Sequence, residues 1–184
     1  WEKVLQKDTL MNILQRYMHL DVNSSPAKLI FPRFHQLDAV EKLIHHARLS
    51  GSSHNYLVQH SAGSGKSNSI AWLAYRLASL HNEDDDNVFT STIIVTDRRV
   101  LDRQLQDTIA SFDHTAGLVE TIGKNKTSKD LRDAINDGKK IIITTLQKFP
   151  VIFEEIEDNK GKNFAVIVDE AHSSQTGNSA KKLK

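Results

Sequence analysis

The sequence predicts an α/β fold: a mainly parallel sheet with helices on both faces. Three observations carry the prediction. Apolar runs around Leu57, Ile94, Ile142 and Val166 lack the polar alternation of a half-exposed strand. Segments with helical apolar spacing separate them, the pattern of strands joined by crossover helices. A Gly/Ser loop, Ser61-Ala62-Gly63-Ser64-Gly65-Lys66-Ser67, joins the first run to the helix that follows.

The elements follow in order. Asp8 can cap a first helix with Leu10, Ile13, Leu14 and Tyr17 on one face. A loop with Asn23, Ser24, Ser25 and Pro26 comes next. Residues 34–49 place Leu37, Val40, Leu43, Ile44 and Ala47 at helical spacing, and Gly51 ends that helix. Residues 55–59 read as a short strand. Ile70, Leu73, Ala74, Leu77 and Leu80 mark the helix after the Gly/Ser loop. Glu83, Asp84, Asp85 and Asp86 form an acidic surface loop without the spacing of a calcium-binding loop. Residues 92–96 are a continuous apolar strand, followed by a helix through Val100, Leu101, Leu105, Ile109 and Phe112. Residues 117–122 read as a short strand. Thr127 or Ser128 caps a helix through Leu131, Ala134 and Ile135, which Gly138 ends. Residues 140–145 and 164–168 are the remaining buried-type strands.

Composition bounds the function classes. The chain has 184 residues, enough for one sizeable core and a small appendage. Lys and Arg total 24 against 23 for Asp and Glu, so any basic surface must come from local clusters. With no cysteine, disulfides, thiolate metal sites and thiol catalysis are excluded. No apolar run approaches the roughly 18 residues of a membrane span. Residues 1–30 read as a helical lead-in from an upstream domain, and residues 31–184 as the domain proper. Both ends read as cuts in a longer chain.

The Gly/Ser loop has the core of a phosphate-binding loop, Gly63-x-Gly65-Lys66-Ser67. Its first position is His60 where the full pattern has glycine. Glycines let backbone N–H groups turn toward phosphates, and the following helix adds its positive end. Ala62 and Ser64 complete the cradle, Lys66 reaches the β and γ phosphates, and the Ser67 hydroxyl can ligate Mg²⁺. Asp169-Glu170-Ala171-His172 follows directly on the last apolar strand, at the strand end where ligands bind in open α/β sheets. Asp169 can hold Mg²⁺, and Glu170 is placed to orient and deprotonate an attacking water. His172 is placed to sense the γ-phosphate.

These motifs resemble the first RecA-like domain of superfamily 2 helicases and translocases, a P-loop NTPase fold. Asp169-Glu170-Ala171-His172 is the DEAH form of their acidic box. Arg33-Phe34-His35-Gln36 is similar to their adenine-reading motif, which implies cofactor contacts from Arg33 and Gln36, with Phe31 or Phe34 stacking on the base. The segments Gln59 to Ser67, Asp97 to Leu105 and Asp169 to Gly177 further resemble the R subunits of type I restriction enzymes, where His60 is the usual replacement for the loop glycine. The resemblance implies ATP and Mg²⁺ as cofactors and translocation on double-stranded DNA. It also implies methylation and specificity subunits as partners, DNA cleavage by the full protein, and a cytoplasmic place in a bacterium or archaeon. The nuclease site, arginine finger and second motor domain of that family lie outside residues 1–184.

Arg98, Arg99 and Arg103 either face a DNA backbone or begin a solvated helix. Thr144 or Thr145 either donates to a phosphate or is simply a β-branched strand residue. His45 and His46 point about 100° apart on a helix and do not chelate together. Two alternative readings stand: another superfamily 2 translocase or helicase, and a nucleotide-gated module that never hydrolyses ATP. Glu170 argues against the second, since a pure binder has no use for a water-polarising carboxylate.

Overall fold

The computed structural model describes residues 2, 4–21, 25–61, 63–96, 103–112, 117–123, 126–148 and 161–169, the side chains of Arg103 and Gln104 excepted. Helix α1 (Lys7–Arg16) leads into an antiparallel pair, β1 (His19–Asp21) and β2 (Lys28–Ile30). The pair leaves no periodic signal in the sequence, because each strand is only three residues long. Helix α2 (Phe34–Ser50) starts with a capping box, in which the Gln36 side chain accepts the Arg33 N–H at 2.8 Å. Gly51, at φ 64°, stops it with its N–H on Ala47 O.

From Lys66 to Thr145 helices and strands alternate as expected. Helix α3 (Lys66–Ala78), β3 (Ser91–Thr96), α4 (Arg103–Ser111), β4 (Val119–Thr121), α5 (Ser128–Asn136), β5 (Ile141–Thr145) and β6 (Phe164–Val168) follow in order. Thr127 is the cap of α5, and its backbone and hydroxyl both donate to the Asp130 carboxylate.

The strands β4, β5, β3 and β6 lie side by side in that order, and every pair is parallel. Ile93 faces Ile142 and Val166, while Ile94 faces Ile143 and Ile167. Strand residues alternate between two buried faces. Ile94, Ile141 and Ile143 join the core with Ala71, Trp72 and Leu77 of α3 and Leu105 and Ile109 of α4. Ile93, Val95 and Ile142 join Leu131, Ala134 and Ile135 of α5 on the other face. In β3 and β5 the apolar runs without alternation are the consequence of covering both faces, as the sequence predicts. Strand β6, expected to be buried as well, leaves Val166 42% exposed because it pairs with β3 alone among the described strands.

Helix α1 packs into the first of these cores. Ile13 and Tyr17 are fully buried there, and the indole N–H of Trp72 donates to Tyr17 O at 2.9 Å. The Glu41 carboxylate accepts from the Tyr17 hydroxyl at 2.5 Å, from Asn12 Nδ2 at 2.9 Å and from Arg76 Nη1 at 3.1 Å. One carboxylate on α2 thus fastens α1 to α3. Burial pushes the Glu41 carboxyl up, but the Tyr17 hydroxyl and the Arg76 charge outweigh it and hold the carboxyl below its usual range.

One expected strand does not form. Residues 55–59 lie in irregular backbone, and Leu57 is 87% exposed. A strand needs a neighbour to take its N–H and C=O groups. Among the described strands β6 is an edge, paired with β3 alone, and none lies against residues 55–59.

Candidate functional site

The phosphate loop turns on two glycines. Gly63 has φ +73° and Gly65 has φ +82°, the left-handed region that other residues adopt at a cost. Gly65 is also the N-cap of α3, and its carbonyl accepts the N–H groups of Asn68 and Ser69. The first-turn N–H groups of α3 therefore point out of the helix start, the geometry that receives anions. A Cβ on Gly65 would stand 2.5 Å from Gln36 Nε2, so the loop is pressed directly against α2.

That contact is a set of hydrogen bonds. Gln36 is 3% exposed, and its amide donates to Ser64 O at 3.2 Å and Gly65 O at 2.9 Å. With its oxygen on the Arg33 N–H, the Gln36 side chain joins the first turn of α2 to the loop. Beside it, His35 Nε2 lies 3.2 Å from Ser64 O, and His60 Nδ1 lies 3.1 Å from the Ser64 hydroxyl. The His35 and His60 rings are 5.8 Å apart. Burial, then the neighbouring His35 and Lys66, lower the His60 pKa and so favour its uncharged ring.

Two clefts flank the loop. One, of about 310 Å³, is lined by Leu29, Ile30, Phe31, Arg33, Gln36 and Asn68 with Gly65. The other, of about 410 Å³, runs past Arg33, His35, Val58, His60 and Ser64. Phe31 and Phe34 are both exposed, and of the two only Phe31 lines a cleft.

The acidic box meets the loop through charge. Lys66 Nζ stands 3.1 Å from Asp169 Oδ1, and the two side chains are 39% and 13% exposed. The Asp169 N–H donates to Val95 O at 2.9 Å, which fixes the carboxylate at the C-terminal end of the sheet. Lys66 and Ser67 open α3 on the same side. Among the described residues no three His, Cys, Asp or Glu side chains converge as a metal cage. The donors present instead, a serine hydroxyl and one carboxylate, suit Mg²⁺ held partly by phosphate oxygens. The site thus fits a magnesium nucleotide by the chemistry of its donor set.

The structure therefore brings together Gln36, Gly63, Ser64, Gly65, Lys66 and Asp169, with Arg33 in both clefts and Ser67 in the first turn of α3. Thr145 closes β5 and is 5% exposed; Thr144 beside it is fully buried. Ala62, Arg98, Arg99, Glu170 and His172 lie outside the described residues. Sequence reasoning missed the contacts of His35 and the place of Asn68 in a cleft. Helical spacing puts His35 beside Gln36 on α2, but nothing in the sequence shows Ser64 opposite them.

Comparison with known proteins agrees with this geometry. Residues 35–184 match the family model described as SWI2/SNF2 ATPase. The chain is 28% identical over 188 residues to a type I restriction enzyme endonuclease subunit of Staphylococcus aureus strain COL, covering 100% of this chain and 19% of that protein. It is 30% identical over 186 residues to the HindI endonuclease subunit of Haemophilus influenzae, covering 95% of this chain and 17% of that protein. A Mycoplasma pneumoniae chain, described as the C-terminal part of the MpnIIP endonuclease subunit of a type I restriction enzyme, is 28% identical and matches over 85% of its length. The resemblance to type I restriction subunits read from the motifs is thus found again in whole-chain similarity. The structure of the UvsW helicase from bacteriophage T4 aligns with 97% of this chain and 55% of its own at a TM-score of 0.62 and 17% identity, which shows the same α/β P-loop fold. A nucleotide-shaped loop, an acidic strand end fixed beside it and the match over residues 35–184 converge: the chain belongs to the SWI2/SNF2 ATPase family.

Proposed function

We propose that this chain is the ATP-binding motor domain of the R subunit of a type I restriction enzyme. In the full protein it drives translocation on double-stranded DNA, coupled to DNA cleavage. The observation that carries the reading is the Lys66–Asp169 pair, which joins the phosphate loop to the carboxylate at the strand end. The restriction relatives support the rest; the chain spans about a fifth of the Staphylococcus aureus one, 19% of its length.

Each residue has a task in this reading. Gly63, Ser64 and Gly65, with Ala62, cradle the phosphates with backbone N–H groups. Lys66 neutralises the β and γ phosphates. Ser67 and Asp169 would hold Mg²⁺, which supplies charge neutralisation at the phosphates when bound. Arg33, Gln36 and Phe31 border the cleft next to the loop and take the base. Glu170 activates water, and His172 senses the γ-phosphate. Arg98, Arg99 and Thr145 contact the DNA backbone. Residues 1–30 are the lead-in from an upstream domain, and residues 31–184 are the motor domain. Methylation and specificity subunits are the partners, in the cytoplasm of a bacterium or archaeon.

The test uses the full-length protein. Duplex DNA should stimulate its ATPase activity with little strand separation, and Glu170→Gln should keep ATP binding while abolishing turnover. Stimulation by single-stranded RNA alone would overturn the restriction reading. Undiminished turnover in Glu170→Gln would remove that residue from its role.

A further inference from the structure

Ser64 sits in the middle of the phosphate loop, 8% exposed, and each of its polar atoms is engaged. Its N–H donates to Ser61 O at 3.2 Å. Its carbonyl faces His35 Nε2 and Gln36 Nε2, both at 3.2 Å. Its hydroxyl faces His60 Nδ1 at 3.1 Å. A carbonyl only accepts, so His35 must carry its proton on Nε2. A glycine at position 60 has no side chain to bond the Ser64 hydroxyl. The imidazole that stands there instead gives the loop an anchor at its beginning, while His35 supplies one from α2.

We propose that His35 and His60 are positioning residues of the phosphate loop, which hold Ser64 at its carbonyl and its hydroxyl and so fix the loop in the shape that receives phosphate. The proposal rests on the nucleotide-binding reading of this site. Loop residues have many conformations to lose, and bonds that remove them in advance appear as affinity for the ligand. The grip belongs to the loop and not to the core, because His35 and His60 both border the open cleft beside it.

The experiment measures the dissociation constant of a fluorescent ATP analogue with Mg²⁺, and the KM and kcat for ATP, in the full-length protein. Losing two neutral hydrogen bonds predicts a roughly 10- to 30-fold weaker analogue and a matching rise in KM for His35→Ala/His60→Ala, with kcat within about threefold. Asparagine reproduces a hydrogen-bonding group at the δ position and glutamine at the ε position. His35→Gln/His60→Asn should therefore bind within about threefold of the unaltered protein. Unchanged affinity in the double alanine variant would overturn the proposal. So would a fall in kcat with unaltered KM, since that reports a loss of folded protein. Failure of the Gln/Asn variant to recover affinity would also overturn it. If the unaltered protein binds no analogue, the nucleotide reading itself fails; if it binds and the alanine variant matches it, only the positioning role fails.

Discussion

Gly65 is the position where backbone and packing constraints coincide, and Gly65→Ala separates them. Alanine at φ +82° carries a left-handed penalty of about 1–2 kcal/mol. The new methyl would also stand 2.5 Å from Gln36 Nε2. An amide at the end of a free side chain would swing away. This one is 3% exposed and bonded to Ser64 O and Gly65 O, so moving it forfeits two hydrogen bonds, about 1 kcal/mol each. The sum is about 3–4 kcal/mol, or a loss of nucleotide affinity of a few hundredfold. Gly63→Ala meets only the first penalty, because nothing lies within 4 Å of its Cβ direction. It should weaken binding by about tenfold. Titration with a fluorescent ATP analogue across Gly65→Ala, Gln36→Ala and their double variant isolates the collision. The cycle should show a coupling of about 2 kcal/mol, since removing Gln36 removes what the methyl strikes. Additivity of the two changes, or equal losses at Gly63 and Gly65, would refute the reasoning.

Other outcomes follow from the same geometry. Lys66→Ala should weaken Mg·ATP binding by about 10- to 100-fold, the loss expected for a charge-assisted bond, read by calorimetry. Glu41→Gln should lower stability by about 1–2 kcal/mol at neutral pH, a figure reduced because 36% of the carboxylate side chain is exposed. The Glu41 carboxyl is held below its usual range, so its contribution is complete above that range and is lost as pH falls through the folded value. Urea midpoints of the two proteins should therefore converge in acid and differ at neutral pH; a constant gap would contradict the network. Ile13→Ala should lower stability by about 2–4 kcal/mol in the same assay, because Ile13 is fully buried against the α2–α3 core.

The sequence made the sheet legible where both faces are covered. Ile93-Ile94-Val95 and Ile141-Ile142-Ile143 are apolar at every position because alternate residues enter different cores. The caps were legible too: Gly51 and Thr127 end and begin helices through bonds that depend on local chemistry alone. Residues 55–59 were misread because an apolar run reports that burial is available, not which neighbour supplies it. Tyr56-Leu57-Val58 has strand composition and, among the described strands, no partner. Lys148 shows the reverse failure. Its ammonium donates to the carbonyls of Ile122, Gly123 and Lys126, a role no spacing rule announces. The candidate site divides in the same way. Gly63, Gly65, Lys66 and Asp169 stand in motifs whose chemistry fixes residue type. The hold of Gln36 and His35 on Ser64 joins segments up to 29 residues apart and exists only once α2 packs on the loop, while His60 reaches Ser64 from within the loop, four residues away.

The Lys66–Asp169 pair explains how so charged a site is compatible with a stable domain. Asp169 is 13% exposed at a strand end, and a lone carboxylate there would be poorly solvated. Lys66, at 3.1 Å, offsets that burial, so the loop and the acidic strand end stabilise each other directly. In the proposed reading a magnesium nucleotide would meet the same two groups with matched charges, phosphate to ammonium and cation to carboxylate. Such binding would exchange that ion pair for two, and much of the desolvation that the new pairs require would already have been met in folding. Asp169→Asn tests the exchange. It removes the carboxylate charge that faces Lys66 at 3.1 Å and that the cation would use. Nucleotide without Mg²⁺ should bind as tightly as before or more tightly, while the gain in affinity on adding Mg²⁺ should shrink by about tenfold or more, since a hydrogen bond or ligand bond to a charged group is worth roughly 1.5–3 kcal/mol. An undiminished Mg²⁺ effect in that variant would show that the carboxylate serves the lysine alone.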